Sequence, residues 1–360
     1  IMDPVLTTRL LTFDLGPEER VAGGTIIALP SATDGQRTIA TGAYTAAIDY
    51  GEATNSHALL VYKDGLIELE HYYPGHSAEG ITTTQSMHKS VLAMLVGIAV
   101  EEAYIPSVDA PASTWLTEWA NDDRAHITIR QMLQQTSGID FDSFSPNITN
   151  GFFQLMMGDD IRPVALNTGI LFPPDTEFDY NSVNPEALGI LLERATGQHY
   201  SDYLSKALWQ HLGVPDAAVV LDSEEHGMAR TFCCLQATAI SWLHLGILHL
   251  TSGRFNGKQI VPSAWMQAIR TPGKLQPNYG YLTWLGSEWQ EHRHYNRKTS
   301  TNVLHSESFV ASDVIYFDGM GGQRVYIIPS ENMVIVRTGA LTMDWDDAIL
   351  PNLLVRGIVR

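Results

Sequence analysis

Apolar and polar positions change rhythm twice along this chain. From His57 to Tyr73, two β-rich arms flank Lys63-Asp64-Gly65. Asp-Gly supplies the positive φ of a tight turn, so the segment predicts a hairpin. Near the other end, Phe309 to Phe317, Arg324 to Ile328 and Met333 to Arg337 read as strands, with Pro329-Ser-Glu-Asn332 turning between the last two. The middle is helical in texture. Ser90 to Glu102 is apolar nearly all round, which marks a buried helix. Ile127 to Gln135, Pro185 to Thr196, Ser201 to Leu212 and Ala237 to Thr251 show helical spacing, the second opening on Pro and stopping at Gly197. Residues 1–50 read only as an irregular lead-in. Strands at both ends with helices between them predict an α+β fold. Its antiparallel sheet (1–85 and 240–360) is built from both termini, and a mostly helical domain (86–239) is inserted, leaving a cleft between the two.

Composition narrows the function classes. At 360 residues, 44% hydrophobic and 17% charged, the chain is a compact folder that needs no disulfide or metal to hold together. Its 22 Lys+Arg against 40 Asp+Glu give −18, which repels phosphate backbones and anionic membranes, so no nucleic-acid partner is expected. Val91 to Val100, the longest apolar run, is about half of a bilayer crossing, so no membrane insertion is expected either. The opening Ile-Met-Asp-Pro has no basic or apolar leader region, so no signal peptide is expected in it. Cys233 and Cys234 are the only cysteines. Sequence neighbours are not expected to bridge, one pair cannot build a zinc site, and the compartment stays open.

Three segments carry chemistry. Thr84-Gln85-Ser86-Met87-His88-Lys89-Ser90 directly precedes the buried helix. Ser86 at the helix start has the positive dipole end beneath it, and Lys89 lies one turn along on the same face, within reach of the hydroxyl. Attached to the most apolar helix in the chain, that amine is expected to be desolvated and its pKa lowered, as a proton acceptor requires. Taken alone, a serine N-cap and a solvated lysine would explain the pair as well. Phe178-Asp179-Tyr180-Asn181-Ser182, ahead of a helix, can bring the Tyr180 phenol to the serine. Asp318-Gly319-Met320-Gly321-Gly322-Gln323 lies between two strands, and its glycines let backbone N–H groups approach a ligand.

In this order and spacing, Ser86-Met-His-Lys89, Tyr180-Asn-Ser182 and Gly319–Gln323 resemble the serine β-lactamase/penicillin-binding-protein-like hydrolases. The match is closer to the class C-like branch that holds esterases and 6-aminohexanoate-dimer hydrolases. Ile127 to Gly138, Leu188 to Gly197 and Leu245 to Gly253 support it. The resemblance implies a β-lactamase/transpeptidase-like fold and a cofactor-free serine hydrolase. Ser86 would be the acylated nucleophile, with Lys89 and Tyr180 sharing its activation and either one as base. The N–H groups of Ser86 and Met320 would form the oxyanion hole, and Ser182, Gly319 and Gly321 would contact substrate. No metal or other cofactor is implied.

Two departures bear on substrate. Ser182 stands where the family carries an amide, and no Lys or His occupies the place of the usual Lys-Thr-Gly. Lys298-Thr299-Ser300 imitates that motif but falls in the polar run Glu291 to Asn302, which reads as a loop. Without that cation an anionic β-lactam is poorly held. A neutral ester, or an amide bearing an ammonium, is the expected partner, with β-lactam or D-Ala-D-Ala substrates and a catalytically inactive ligand-binding relative as the alternatives. Gly75-His-Ser77-Ala-Glu79 lacks the last glycine of a nucleophile elbow. His88, between the two candidates, faces away from Lys89 and has no assigned role, and His292-Arg-His294 reads as solvated.

Overall fold

A computed structural model describes residues 15–143, 151–286, 288–296, 301–342 and 344–359. Its main sheet has six strands: β1 (Ser56–Lys63), β2 (Leu66–Tyr72), β3 (Trp284–Leu285), β4 (Ile315–Gly319), β5 (Gln323–Ile328) and β6 (Met333–Gly339). They lie in the order β2-β1-β6-β5-β4-β3, and every pairing is antiparallel. The β1–β2 turn is the predicted one: Asp64 and Gly65 take φ of +49 and +94, as a tight hairpin demands. The Pro329–Glu331 turn ends on Asn332 at φ +46 and feeds β6. One expectation fails at its start, because residues 309–314 are irregular and β4 begins only at Ile315.

Period-two alternation divides the strand side chains between two cores. Leu60, Val325, Ile327, Val334 and Val336 join the larger one, which helix α4 (Ala239–Leu250) covers. A Cβ on Gly246 would stand 2.5 Å from the Val334 side chain, so that helix rides close to the sheet. Leu59, Val61, Ile335 and Ile328 face the opposite core with Tyr44, Leu350 and Leu354. Helices α1 (Thr41–Ala53) and α5 (Ile349–Arg356) cover that side. Residues 41–53 are therefore not part of an irregular lead-in. Two Gly and four Ala blur their helical pattern, and it is packing on α5 that stabilises the helix.

Helix α2 (His88–Glu101) is buried from His88 to Ala99. Helix α3 (Val183–Thr196) packs beside it and stops at Gly197, φ +68. A smaller antiparallel sheet joins Glu18–Val21, Ala217–Val220, Leu235–Thr238 and Ile81–Thr83 in that order. Its last strand runs straight into the residues ahead of α2, and the Thr84 hydroxyl donates to the Leu235 carbonyl at 3.1 Å.

Candidate active site

Ser86 sits on a single 3-10 turn, Gln85–Met87, that leads into α2. Gln85 enters it at φ +53, a conformation that residues with a side chain adopt only when their surroundings enforce it. Helix geometry then returns Lys89 to the same side. Its Nζ donates to Ser86 Oγ at 2.8 Å and to the Phe232 carbonyl at 2.6 Å. Lys89 is 1% exposed. Burial lowers its pKa from 10.5 to about 7, against the opposing pull of the Asp318 and Glu186 carboxylates.

Tyr180 arrives from the segment ahead of α3. Its ring packs against Tyr295, Trp284 and Tyr279 at centroid distances of 5.1, 5.8 and 6.1 Å, and its N–H donates to the Tyr295 carbonyl at 3.2 Å. The phenol shares a hydrogen bond with the Ser86 hydroxyl, and Lys89 Nζ stands 5.0 Å from the ring centroid. Burial pushes the phenol well above its ordinary value. It therefore keeps its proton, while the amine beside it can be free of one near neutrality. Serine, lysine and tyrosine meet at one point.

That point opens on a cavity of about 420 Å³. Ser182, Gly319, Met320 and Gly321 all line it. A Cβ on Gly319 would stand 2.2 Å from the Thr84 carbonyl oxygen, so only glycine lets the end of β4 abut the turn carrying Ser86. Gly321 and Gly322, at φ +77 and +83, carry the chain from there into β5. The amide of Asn181 is turned inward, where its Oδ1 accepts the N–H of Asn184 at 2.9 Å. Ser182 is left facing the cavity, its N–H donating to Ser143 Oγ at 3.0 Å. The rest of the wall is oily, with Leu15, Phe152, Phe153, Met156 and Trp345 prominent in it.

Other supports were not singled out from the sequence. Gln135, at φ +59, holds the Tyr180 segment from below: its amide donates to the Asn181 carbonyl at 2.9 Å and its oxygen accepts from Asn184 Nδ2 at 2.7 Å. Its stretch, 127–138, did stand out as a phrase. Asp318 precedes the glycine loop and belongs to a buried quartet. Arg324 reaches Asp318 at 2.6 Å and Asp347 at 2.8 Å, and Arg293 reaches the same two at 3.3 and 2.8 Å. The Tyr295 hydroxyl donates to Asp318 at 2.8 Å.

Four sequence expectations change here. Within Glu291 to Asn302, His292–His294 forms a strand that pairs with Asn302–Leu304. Arg293 is buried rather than solvated, because its neighbours point outward while it meets the two aspartates. His88 is no idle side chain: Nδ1 bonds the Cys233 carbonyl at 2.6 Å and Nε2 the Tyr200 hydroxyl at 2.8 Å. Cys233 and Cys234 do bridge. Cys234 takes φ +72, which swings its side chain back onto its neighbour as an extended pair could not. Lys298-Thr299-Ser300 lies outside the described residues.

Residues 45–340 match the family model described as Beta-lactamase. A 6-aminohexanoate-dimer hydrolase of Paenarthrobacter ureafaciens is 25% identical over 236 residues, 62% of this chain and 59% of that protein. The chain thus spans about three-fifths of that relative's length. Among solved structures, a Bacillus anthracis protein assigned as a 6-aminohexanoate-dimer hydrolase superposes with a TM-score of 0.74 at 19% identity, over 99% of this chain and 93% of that one. EstCE1, described as a hydrolase with promiscuous acyltransferase activity, superposes with a TM-score of 0.66 at 15% identity, over 88% and 96%. These two likenesses are of fold.

Proposed function

Because this chain belongs to the beta-lactamase family of hydrolases and has its α+β, transpeptidase-like fold, we propose that it is a serine hydrolase of uncharged esters, acting through an acyl-enzyme on Ser86. The observation that carries this reading is the 2.8 Å contact between a buried, easily deprotonated Lys89 amine and the Ser86 hydroxyl. A neutral amine has two N–H bonds and one lone pair. The Phe232 carbonyl takes one N–H, which leaves the lone pair to accept the Ser86 proton as Oγ attacks the ester carbonyl. Tyr180, still protonated, donates to the departing alkoxide and is reprotonated through Lys89. The N–H groups of Ser86 and Met320 hold the oxyanion. Water then repeats the sequence on the acyl-enzyme and releases the acid.

The walls favour an apolar acyl group. Among the described lining residues, the charged ones are Asp318 and Arg324, and these neutralise each other. Neither is left to grip the ammonium or carboxylate of an amino-acid-type amide, so such amides are the second reading only. The test is intact mass after exposure to a p-nitrophenyl alkylphosphonate, alongside turnover of p-nitrophenyl esters. One adduct on Ser86, lost together with turnover in Ser86→Ala, is expected. Parental turnover by the alanine variant would sink the mechanism, and an unlabelled but folded parent would favour an inactive ligand-binding relative.

A further inference from the structure

The most unusual buried side chain near this site belongs to no step of the mechanism. Glu186, in the first turn of α3, has no exposed surface. Its Oε2 accepts the N–H of Thr231 at 2.8 Å and the Thr231 hydroxyl at 3.1 Å, and the carboxylate also takes the N–H of Phe232. Oε1 has no hydrogen-bond partner among the described residues. A half-satisfied carboxylate in an interior is expensive, and an apolar residue would ordinarily serve a packed helix better. Burial pushes this carboxyl up to about 8, against the N–H groups that pull it down.

What those N–H groups belong to is the informative part. The carbonyl of Phe232 receives the Lys89 amine at 2.6 Å. Glu186 therefore grips, from the N–H side, the short stretch of backbone whose next carbonyl orients the proposed base. Helix and stretch touch without slack: a Cβ on Gly189, one turn further along α3, would stand 2.4 Å from Thr231 Oγ1. The Thr231 hydroxyl shares its one proton between Glu186 Oε2 and the Pro185 carbonyl, 2.9 Å away. The same helix follows directly on the Tyr180-Asn-Ser182 segment, so α3 sets both the phenol and, through Glu186, the amine.

We propose that Glu186 is a positioning residue, which fixes the Thr231–Phe232 backbone so that the Phe232 carbonyl aims the Lys89 lone pair at Ser86. The proposal rests on the serine-hydrolase reading. It predicts that an acceptor at this place is what matters, so Glu186→Gln works and Glu186→Leu, which packs but accepts nothing, does not.

The test compares Glu186→Gln, Glu186→Ala and Glu186→Leu with the parent. Ester kcat and KM and the rate of Ser86 phosphonylation are measured, with melting curves showing each protein folded at the assay temperature. Leucine and alanine are expected to lower kcat and the phosphonylation rate about 10- to 100-fold, as loss of alignment does, with KM within about twofold. Glutamine is expected to recover the rate to within about threefold of the parent. The leucine variant keeps the test open should the alanine cavity unfold the protein. In a Lys89→Met background, removing Glu186 should slow the residual phosphonylation no further, because the group through which it acts is gone. A folded Leu variant at parental kcat overturns the proposal, as does Gln as slow as Leu, or a full independent loss in the Lys89→Met background. A parent that labels normally while these results fail leaves the serine reading intact, whereas a parent that never labels overturns both.

Discussion

Lys89→Met turns the central electrostatic claim into a stability measurement. Methionine has nearly the shape of the lysine stem but nothing to protonate. From an ordinary 10.5, burial takes the Lys89 amine to about 7, so between those pH values the unfolded chain binds a proton that the native chain does not. Native stability must then rise with pH across that window and level off below about 7, where both states are protonated. At 1.36 kcal/mol per pKa unit, the parent should gain about 3–4 kcal/mol over the variant between pH 7 and pH 10. The hydrogen bonds to Ser86 and Phe232 vanish from the variant at every pH, so they offset the whole curve and leave its slope alone. Urea denaturation of both proteins at several pH values reads the difference, with groups remote from Lys89 titrating alike in the two. The parent's kcat/KM should instead rise through about pH 7, where the native amine loses its proton, and be level by about one unit above it. A stability difference that stays flat from pH 7 to 10 would mean that Lys89 is an ordinary ammonium and no base.

Two further outcomes follow from the geometry. Tyr180→Phe removes the phenol while its ring keeps its packing against Trp284 and Tyr295, so kcat/KM should fall about 10²–10⁴-fold with the melting temperature nearly unchanged; parental activity would exclude the phenol from the proton path. Arg293→Met leaves Asp318 and Asp347 sharing one guanidinium, so urea unfolding should show a loss of about 3–5 kcal/mol, and a loss below about 1 kcal/mol would mean that the quartet is not coupled.

What could be read from the sequence was local. The Asp64-Gly65 turn, the apolar stripe of α2 and the stop at Gly197 each depend on residues within one turn of each other, and each was visible. So was the serine–lysine pair, since three residues of helix fix its geometry. The supports were not visible, because their reasons lie elsewhere in the chain. Arg293 looked like one cation in a polar run, and only its meeting with Asp318 and Asp347, 25 and 54 positions away, makes it interior. Glu186 lies in the first turn of a helix, and nothing around it in the sequence marks its tie to Thr231. Helix α1 has no side-chain N-cap bond and takes its stability from α5 at the far end of the chain. The vicinal bridge depends on one left-handed residue, and nothing in Cys-Cys announces that.

The main sheet has a consequence for how the polypeptide is made. Strand β1 pairs along its full length with β6, from Lys63 against Met333 to Ser56 against Gly339. On the ribosome the β1–β2 hairpin emerges before its partner, which follows only after more than two hundred intervening residues. At ~5–20 residues per second, that is a wait of roughly a quarter of a minute to a minute. Throughout it the nascent chain presents an oily, unpaired strand edge, a template for association with other chains. Chaperone cover during synthesis, and the rate at which codons after the hairpin are read, should govern how much of the product is soluble.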